Sequence, residues 1–262
     1  MKKIEKEEMR KIQLDMLDNI HNFCKEKGVC YSLSGGSLLG AIRHKGFIPW
    51  DDDIDIMMPR PDYDRFLREY ENYSSLYHLQ TFYNDSAYYR PFAKVIDVRT
   101  IVYEAKIVTG VFIDVFPIDG MPSKDEYKTL YMNFCHVRDI IYRSTRYSKS
   151  NGLFDKIKDV VKLILYPSSS SIKYKMKLED ILHSIPYGST QWAGAICGSY
   201  GLKEHLSIDV FRDYVLKPFE DRNYMCIKQY DKYLSSIYGD YMTLPPKEKQ
   251  VGHPFEAYWK TE

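Results

Sequence analysis

The sequence lacks several features by which some protein classes are recognised. Its five cysteines are scattered and include no CxxC pair, which argues against a zinc site or a disulfide framework and favours a reduced setting. Neither sign of charge prevails, with 37 basic and 36 acidic side chains, so nothing predicts a nucleic-acid partner. No apolar run approaches the roughly 18 residues of a membrane span, and the charged N-terminus lacks the apolar core of a signal peptide. We therefore expect a cytoplasmic protein.

The size and the aromatic content fit a globular chain. A hydrophobic fraction of 44% in 262 residues is enough for one large domain, or for a domain with an elaborate appendage. The 24 tyrosines and 12 phenylalanines suit interior packing, and they also suit a cleft for sugars or quaternary amines.

Four aspartates fall within five residues: Asp51, Asp52, Asp53 and Asp55. Because residues two apart in a strand point to the same face, Asp53 and Asp55 would lie side by side. Asp51 joins them if the strand extends back, whereas Asp52 points away. Two carboxylates this close raise each other's pKa unless a cation lies between them. The usual cation beside substrate phosphates is magnesium, so the stretch predicts metal-dependent phosphoryl or nucleotidyl transfer.

A glycine-rich turn precedes the aspartates. A short strand is expected over residues 29–33, Gly35 and Gly36 permit a tight turn, and Ser37 is placed to cap a helix over residues 38–43. The backbone N–H groups of such a turn can hold a phosphate. Any strand-to-helix turn can use glycines, so the structural interpretation stays open beside the phosphate one.

A third carboxylate lies in a later apolar run. Residues 111–116, VFIDVF, predict a strand that contains Asp114, and a turn is expected over residues 117–122. An aspartate in such a run is costly to bury without a partner. Asp114 is therefore either hydrogen-bonded structurally or a metal ligand, and the acidic strand nearby favours the ligand.

The rest of the chain is predicted to form further helices and strands. Helical spacing predicts a helix in residues 4–27 that ends at Gly28. Residues 123–184 read as three helical pieces, of which the basic amphipathic piece at 153–166 fits either an anionic membrane surface or packing on its own protein. The remaining predictions are a helix over 62–73, strands over 77–82, 92–97 and 100–103, strands or buried segments over 192–200 and 211–219, a helix or strand plus helix over 222–238, and an ordered tail.

The order of these motifs resembles the nucleotidyltransferase-fold superfamily, and the string GGSLLGAIRHKGFIPWDDDIDIMMPRPDY resembles its LicD branch, which includes bacterial phosphocholine transferases and fukutin-related proteins. FAKVID at 92–97, FIDVFPIDG at 112–120 and YGDYMTLPPKEKQVGH at 238–253 also look like segments of that family. The resemblance covers the whole chain, and the helices between 123 and 189 match it least.

The resemblance implies an α+β fold, in which a nucleotidyltransferase-fold mixed β-sheet core is flanked by helices, with a helical insertion and an ordered C-terminal extension. It assigns residues 1–122 to the catalytic core, 123–189 to the insertion, and 190–262 to a C-terminal part that completes the catalytic domain.

The resemblance also implies a reaction: transfer of a phosphoryl-alcohol unit, phosphocholine before others, from a CDP-linked donor to a sugar hydroxyl, with release of CMP. The acceptor is a glycan or lipid-linked saccharide of teichoic acid, capsule or lipopolysaccharide, and peripheral contact with the inner face of the membrane stays open. CDP-ribitol or CDP-glycerol as donor, transfer of NMP from an NTP to a small molecule or protein, and a non-catalytic carbohydrate-binding role are the alternatives.

In the site so implied, Mg²⁺, with Mn²⁺ as the alternative ion, is held by Asp53, Asp55 and Asp114 and bridges the donor phosphates. Asp51 is an outer ligand or a ligand of a second metal. Asp114 is also our candidate for the general base that accepts the proton of the acceptor hydroxyl.

Other residues are expected around the phosphates. Gly36 and Ser37 belong to the turn that grips them. Arg43 and Lys94 are predicted to contact them, since an arginine fork fits two phosphate oxygens and a lysine is a point charge, although each also fits a surface ion pair. His44 fits either a proton shuttle or a structural hydrogen bond.

Trp50 fits either stacking on a base or, as we favour, a place in the core. In the tail, Lys247, Lys249 and His253 fit either closure over the donor or, by default, an exposed turn.

Overall fold

The computed structural model describes residues 1–104, 107–144, 168–252 and 255–261, with the side chains of 168–171 excepted. The predicted basic helix at 153–166 and His253 lie outside these residues. Within the described ranges, no helix is both long enough and apolar enough to cross a bilayer.

The described residues form both helices and strands, as the sequence predicts. A π-helical turn at Gly40–His44 and 3₁₀ turns at Gly201–Glu204, Ile208–Phe211 and Lys247–Lys249 add to the regular elements. The helices are α1 Lys6–Lys27, α2 Gly35–Leu39, α3 Arg60–Glu69, α4 Lys124–Ser144, α5 Ser168–Leu182 and α6 Tyr230–Tyr238. The strands are β1 Lys2–Ile4, β2 Ser32–Leu33, β3 Asp55–Pro59, β4 Tyr77–Gln80, β5 Ala93–Asp97, β6 Thr100–Glu104, β7 Ile107–Thr109, β8 Phe112–Met121, β9 Trp192–Gly194, β10 Leu206–Ser207, β11 Tyr214–Phe219, β12 Arg222–Ile227 and β13 Ala257–Trp259.

The largest sheet is mixed and is built around β8. Its strand order is β10-β9-β8-β3-β2, while β5 pairs with the first half of β8 and β4 pairs with β5. The β3–β8 pair is parallel and the other pairs are antiparallel. All ten residues of β8 are buried, as expected for the central strand of a sheet covered on both faces. The prediction of a mixed α+β fold is confirmed.

A second sheet ties the two ends of the chain together. Its order is β1-β13-β6-β7, so the C-terminal strand lies between the N-terminal strand and the middle of the chain. Strands β11 and β12 form a separate hairpin. Within the described residues, the tail ends in β13, which is paired on both sides.

Helix α1 supplies part of the core. Ile12, Met16, Ile20 and Phe23 are at most 6% exposed, which confirms the helical spacing read from the sequence. The helix ends at Gly28, whose φ of 63° is the left-handed conformation that glycine adopts without strain.

Some predicted boundaries are wrong. The turn expected over residues 117–122 is the second half of β8, which continues through Pro117 to Met121. Pro117 is tolerated there because it lies between residues 112–115, which pair with β5, and residues 119–121, which pair with β9. Strand β3 itself ends at Pro59 opposite Ile118. Helix α3 begins two residues earlier than predicted and ends at Glu69, since Pro61 suits the first turn of a helix.

Candidate active site

Strand pairing brings three charged residues into one row. In the parallel β3–β8 pair Asp55 lies opposite Asp114, and in the antiparallel β5–β8 pair Lys94 lies opposite Asp114. Neighbouring strands are about 4.8 Å apart, and residues directly opposite each other share a face. Asp114 therefore lies between a second carboxylate and an ammonium group. The sequence placed both aspartates in strands, but it did not reveal this register.

Asp53 lies just before the strand and not within it, because β3 begins at Asp55. The prediction that Asp53 and Asp55 share a strand face is therefore wrong, and so is the extension of that strand back to Asp51. The side chains nevertheless converge: burial, followed by the charges of Asp55, Asp51 and Asp114, raises the pKa of Asp53 to about 10. A loop thus gathers the carboxylates that we expected a strand to align.

The two glycines of the turn leave room for the carboxylates. Gly35 has a φ of 48°, and a Cβ added to it would lie 3.5 Å from Oδ2 of Asp55. A Cβ added to Gly36 would lie 2.8 Å from Oδ2 of Asp51, which is closer than real Cβ contacts come. A side chain at Gly36 would therefore displace the Asp51 carboxylate.

Ser37 has a different role from the predicted cap. Helix α2 begins at Gly35 with Ser34 as the N-cap residue, so Ser37 lies inside the helix. Its Oγ accepts a hydrogen bond from the backbone N–H of Asp55 at 2.9 Å. The serine therefore fastens the glycine turn to the first residue of the acidic strand.

Arg43 lies at the cavity with its guanidinium held by the tail. Its Nη1 donates to the carbonyl oxygens of Tyr241 at 2.6 Å and Thr243 at 3.4 Å. His44 does not line the cavity: its Nδ1 lies 3.4 Å from Nε of Arg43 and its ring packs edge-on against Trp50. Desolvation lowers the pKa of His44, and the charge of Arg43 lowers it further. The phosphate contact of Arg43 and the proton shuttle stay predictions.

Lys94 is buried instead of facing the cavity. Its side chain is 0% exposed, and its Nζ lies 2.7 Å from Oδ1 of Asp114 and 3.5 Å from Oε2 of Glu104. The ammonium also lies 3.1 Å from the centre of the Phe112 ring. In this arrangement Lys94 neutralises carboxylates and offers no open face to a phosphate, so its predicted phosphate contact has no support here.

The cation that does reach the cavity on this side is Arg90. Its Nη2 lies 3.4 Å from Oε1 of Glu104, so Glu104 bridges Arg90 and Lys94. Sequence reasoning missed both residues. A signal existed for Arg90, which lies two residues before the FAKVID segment, whereas nothing local marks Glu104, which belongs to the other sheet.

These residues surround one cavity of about 1090 Å³. The predicted site residues that line it are Gly36, Arg43, Asp51, Asp53, Asp55 and Asp114. The other three, Ser37, His44 and Lys94, do not line it. Trp50 lines it too, so its side chain is not confined to the core. The other charged and aromatic side chains of the lining are Tyr89, Arg90, Phe92, Glu104, Phe112, Phe116, Arg138, Asp139, Tyr142, Tyr200, Tyr238, Asp240, Tyr241 and Phe255.

The carboxyl groups of Asp53, Asp55 and Asp114, which form the acidic wall of the cavity, favour their protonated forms when no cation is bound. Burial raises the pKa of Asp55 well above its ordinary value, and the charges of Asp114 and Asp51 raise it further. Burial also raises the pKa of Asp114, although the Lys94 ammonium opposes that rise. A cation placed among these groups would favour their ionised forms.

The donor set can be compared with what magnesium needs. Within the described residues, no three His, Cys, Asp or Glu side chains are arranged as a ready-made metal site. Magnesium beside a phosphate is usually held by one or two carboxylates, and waters and substrate oxygens supply the remaining ligands. Asp53 and Asp55, whose ionisation is hindered by like charge, fit that smaller set. Asp114 fits it less well, since Lys94 already engages one of its oxygens.

The chain is similar to a known domain family and to several known proteins. The family model described as LicD/FKTN/FKRP, nucleotidyltransferase domain, matches residues 28–154. The lipopolysaccharide cholinephosphotransferase LicD of Haemophilus influenzae is 36% identical over 266 residues, which cover 98% of this chain and 99% of that protein. Uncharacterized proteins of Rickettsia prowazekii and Rickettsia typhi are each 38% identical over 47 residues, or 18% of this chain.

Proposed function

The chain belongs to the LicD family, and on this premise we propose that it is a phosphotransferase that moves phosphocholine from CDP-choline to a sugar hydroxyl of a lipopolysaccharide. The nearly full-length likeness to a lipopolysaccharide cholinephosphotransferase supports the transferred group and the acceptor. The observation in the chain itself that carries the proposal is the Asp55–Asp114 pair, which faces the cavity beside the glycine turn.

The reaction that this site suits is displacement at phosphorus. The acceptor hydroxyl oxygen forms a bond to the phosphorus of the phosphocholine unit. The bond from that phosphorus to the oxygen of CMP breaks, and its electron pair stays on that oxygen. The hydroxyl proton passes to a base, for which Asp114 is the candidate because it is the carboxylate that an ammonium group keeps oriented.

Asp53 and Asp55 would hold Mg²⁺, or Mn²⁺ in its place. The ion, when bound, supplies positive charge to the donor phosphates and to the leaving oxygen. The chain adds charge of its own through Arg43 and Arg90, both of which line the cavity. Gly36 leaves room for the Asp51 carboxylate, because an added Cβ would lie 2.8 Å from its Oδ2.

The test is a donor screen with the purified full chain and Mg²⁺. CDP-choline, CDP-ribitol and CDP-glycerol are each offered with O-deacylated lipopolysaccharide, and both CMP and the modified acceptor are measured. We expect CMP from CDP-choline and a phosphocholine-bearing acceptor. CMP from CDP-ribitol or CDP-glycerol alone would move the proposal to a polyol-phosphate transferase.

Two results would overturn the proposal altogether. One is the absence of CMP with all three donors in the presence of acceptor. The other is pyrophosphate release from an NTP, which would identify a nucleotidyltransferase that moves NMP.

A further inference from the structure

The cavity extends well beyond the carboxylates. Its volume of about 1090 Å³ slightly exceeds the roughly 300–1,000 Å³ of most ligand sites in proteins. A transferase with two substrates needs room for both, and a cavity of this size can hold the two substrates at different walls.

The main sheet fixes the order of the groups along the cavity. Strand β2, which leads into the glycine turn, is followed by β3 with Asp55, β8 with Asp114 and β5 with Lys94. At about 4.8 Å per strand, the two ends of this row are about 14 Å apart. The glycine turn lies at one end, and Arg90, just before β5, lies at the other.

Displacement at phosphorus needs the attacking and leaving oxygens roughly in line, on opposite sides of the phosphorus. If the nucleotide phosphate lies at the glycine turn, the acceptor hydroxyl must come from the opposite end. That end is walled by residues 89–92 and by helix α4.

This wall has the chemistry of a sugar site. Tyr142, which is 40% exposed, packs edge to face against the buried Tyr89 with ring centres 5.1 Å apart, and its ring offers an apolar face to the C–H groups of a sugar. On the same helix, Arg138 donates to Asp139 at 3.0 Å, so a donor and an acceptor of hydrogen bonds stand side by side. Sugar hydroxyls need both kinds of partner. Side-chain exposures of 39% and 52% leave both groups accessible.

The wall is poorly suited to the choline ammonium of the donor. The guanidinium carbon of Arg90 lies 5.6 Å from the centre of the Tyr89 ring and 5.7 Å from that of Phe92. These rings already face a resident cation, and a second cation there would be repelled.

We propose that Tyr89, Arg138, Asp139 and Tyr142 form the acceptor-sugar subsite. The inference rests on the proposed function for the identity of the second substrate. It adds where that substrate binds, and it assigns a binding role to helix α4, which the family resemblance left without one.

The subsite can be tested by binding, without turnover. Saturation-transfer NMR is recorded on wild type with O-deacylated Haemophilus influenzae lipopolysaccharide and with a panel of methyl hexosides, in the absence of donor. The test variants are Tyr142→Ala and Arg138→Gln. The matched control is Met132→Ala, because Met132 is on the same helix, is 56% exposed and does not line the cavity.

We expect sugar signals in wild type and Met132→Ala, and a loss of about fivefold or more in both test variants. Binding of CMP should stay within about twofold in all four proteins, since the nucleotide lies at the other end. Equal sugar signals in all four proteins, no sugar signal in wild type, or displacement of the sugar by CMP would each overturn the subsite. Failure of the donor screen would instead overturn the reaction, so the two failures are distinguishable.

In turnover assays the same variants should raise the KM for the acceptor about tenfold, with the KM for CDP-choline nearly unchanged. A merely structural effect of the substitutions would move both constants or the melting temperature.

Discussion

The ammonium nitrogen of Lys94 lies 2.7 Å from Oδ1 of Asp114, and the lysine side chain is 0% exposed. A buried ion pair of this kind depends on both partners, because removal of one leaves the other charge without compensation. The pair therefore fixes the position of a carboxylate that faces the cavity, and we predict that Lys94 acts as a positioning residue.

We predict that Lys94→Met lowers the free energy of unfolding by about 3–5 kcal/mol. The double variant Lys94→Met/Asp114→Asn should recover part of that loss, since it removes both charges. Urea unfolding of wild type, Lys94→Met and the double variant gives the free energies of unfolding. The control is Lys3→Met, which breaks an exposed pair with Glu256 of the same 2.7 Å length and should leave stability unchanged. A double variant that is no more stable than Lys94→Met would show that the two groups are not coupled.

Activity should depend on two of the clustered aspartates and not on their neighbour. Asp53→Asn and Asp55→Asn each remove one charge from the proposed metal ligands, and we expect kcat to fall by at least about 10²-fold. Asp52→Asn is the matched control, since Asp52 does not line the cavity, and it should keep kcat near wild type. CMP release from CDP-choline is the measurement. Full activity of the Asp55→Asn variant would contradict the proposed metal site.

The same substitution should stabilise the metal-free protein. Without metal, Asp55 must either take up a proton or bear the repulsion of Asp114 and Asp51, and asparagine does neither. The melting temperature of Asp55→Asn without metal should therefore rise by about 2–4 °C, the shift that about 1 kcal/mol gives in a chain of this size. Added Mg²⁺ should raise the melting temperature of wild type and of Asp52→Asn but not that of Asp55→Asn. A lower melting temperature for Asp55→Asn in EDTA would contradict this account of the acidic wall.

Glu204 should make stability depend on pH. Its side chain is 1% exposed beneath the loop that lines the cavity, and burial raises its pKa to about 8, although the backbone N–H of Ala195 opposes the rise. At pH values between the ordinary pKa of 4.5 and the raised pKa of about 8, the folded protein binds a proton at Glu204 that the unfolded chain does not bind. Its contribution to stability is therefore complete below pH 4.5 and declines as the pH rises through 8.

Glu204→Gln cannot ionise, so its free energy of unfolding should decline less than that of wild type between pH 5 and 9. Urea unfolding at several pH values gives the comparison. Glu248→Gln is the control, because Glu248 is exposed, and it should follow wild type. Parallel curves for wild type and Glu204→Gln would show that Glu204 is not the group responsible.

The sequence alone was sufficient for the family, the mixed fold, the buried face of α1 and the three carboxylates. These features depend on local patterns: the spacing of apolar residues, the clustering of aspartates, and glycines where the chain must turn. The Haemophilus influenzae relative, which is similar over nearly the full chain, agrees with the family predicted from the motif string.

Only the tertiary structure decided how these residues meet. Asp114 and Asp55 are 59 positions apart, and nothing local sets the register in which β3 and β8 pair. Lys94 is an ordinary charged residue in the sequence, and its burial follows from its place opposite Asp114. Ser37 binds the acidic strand instead of capping a helix, because α2 begins at Gly35, three residues before the predicted start. Long-range pairing fixes these contacts, and local propensity carries no information about it.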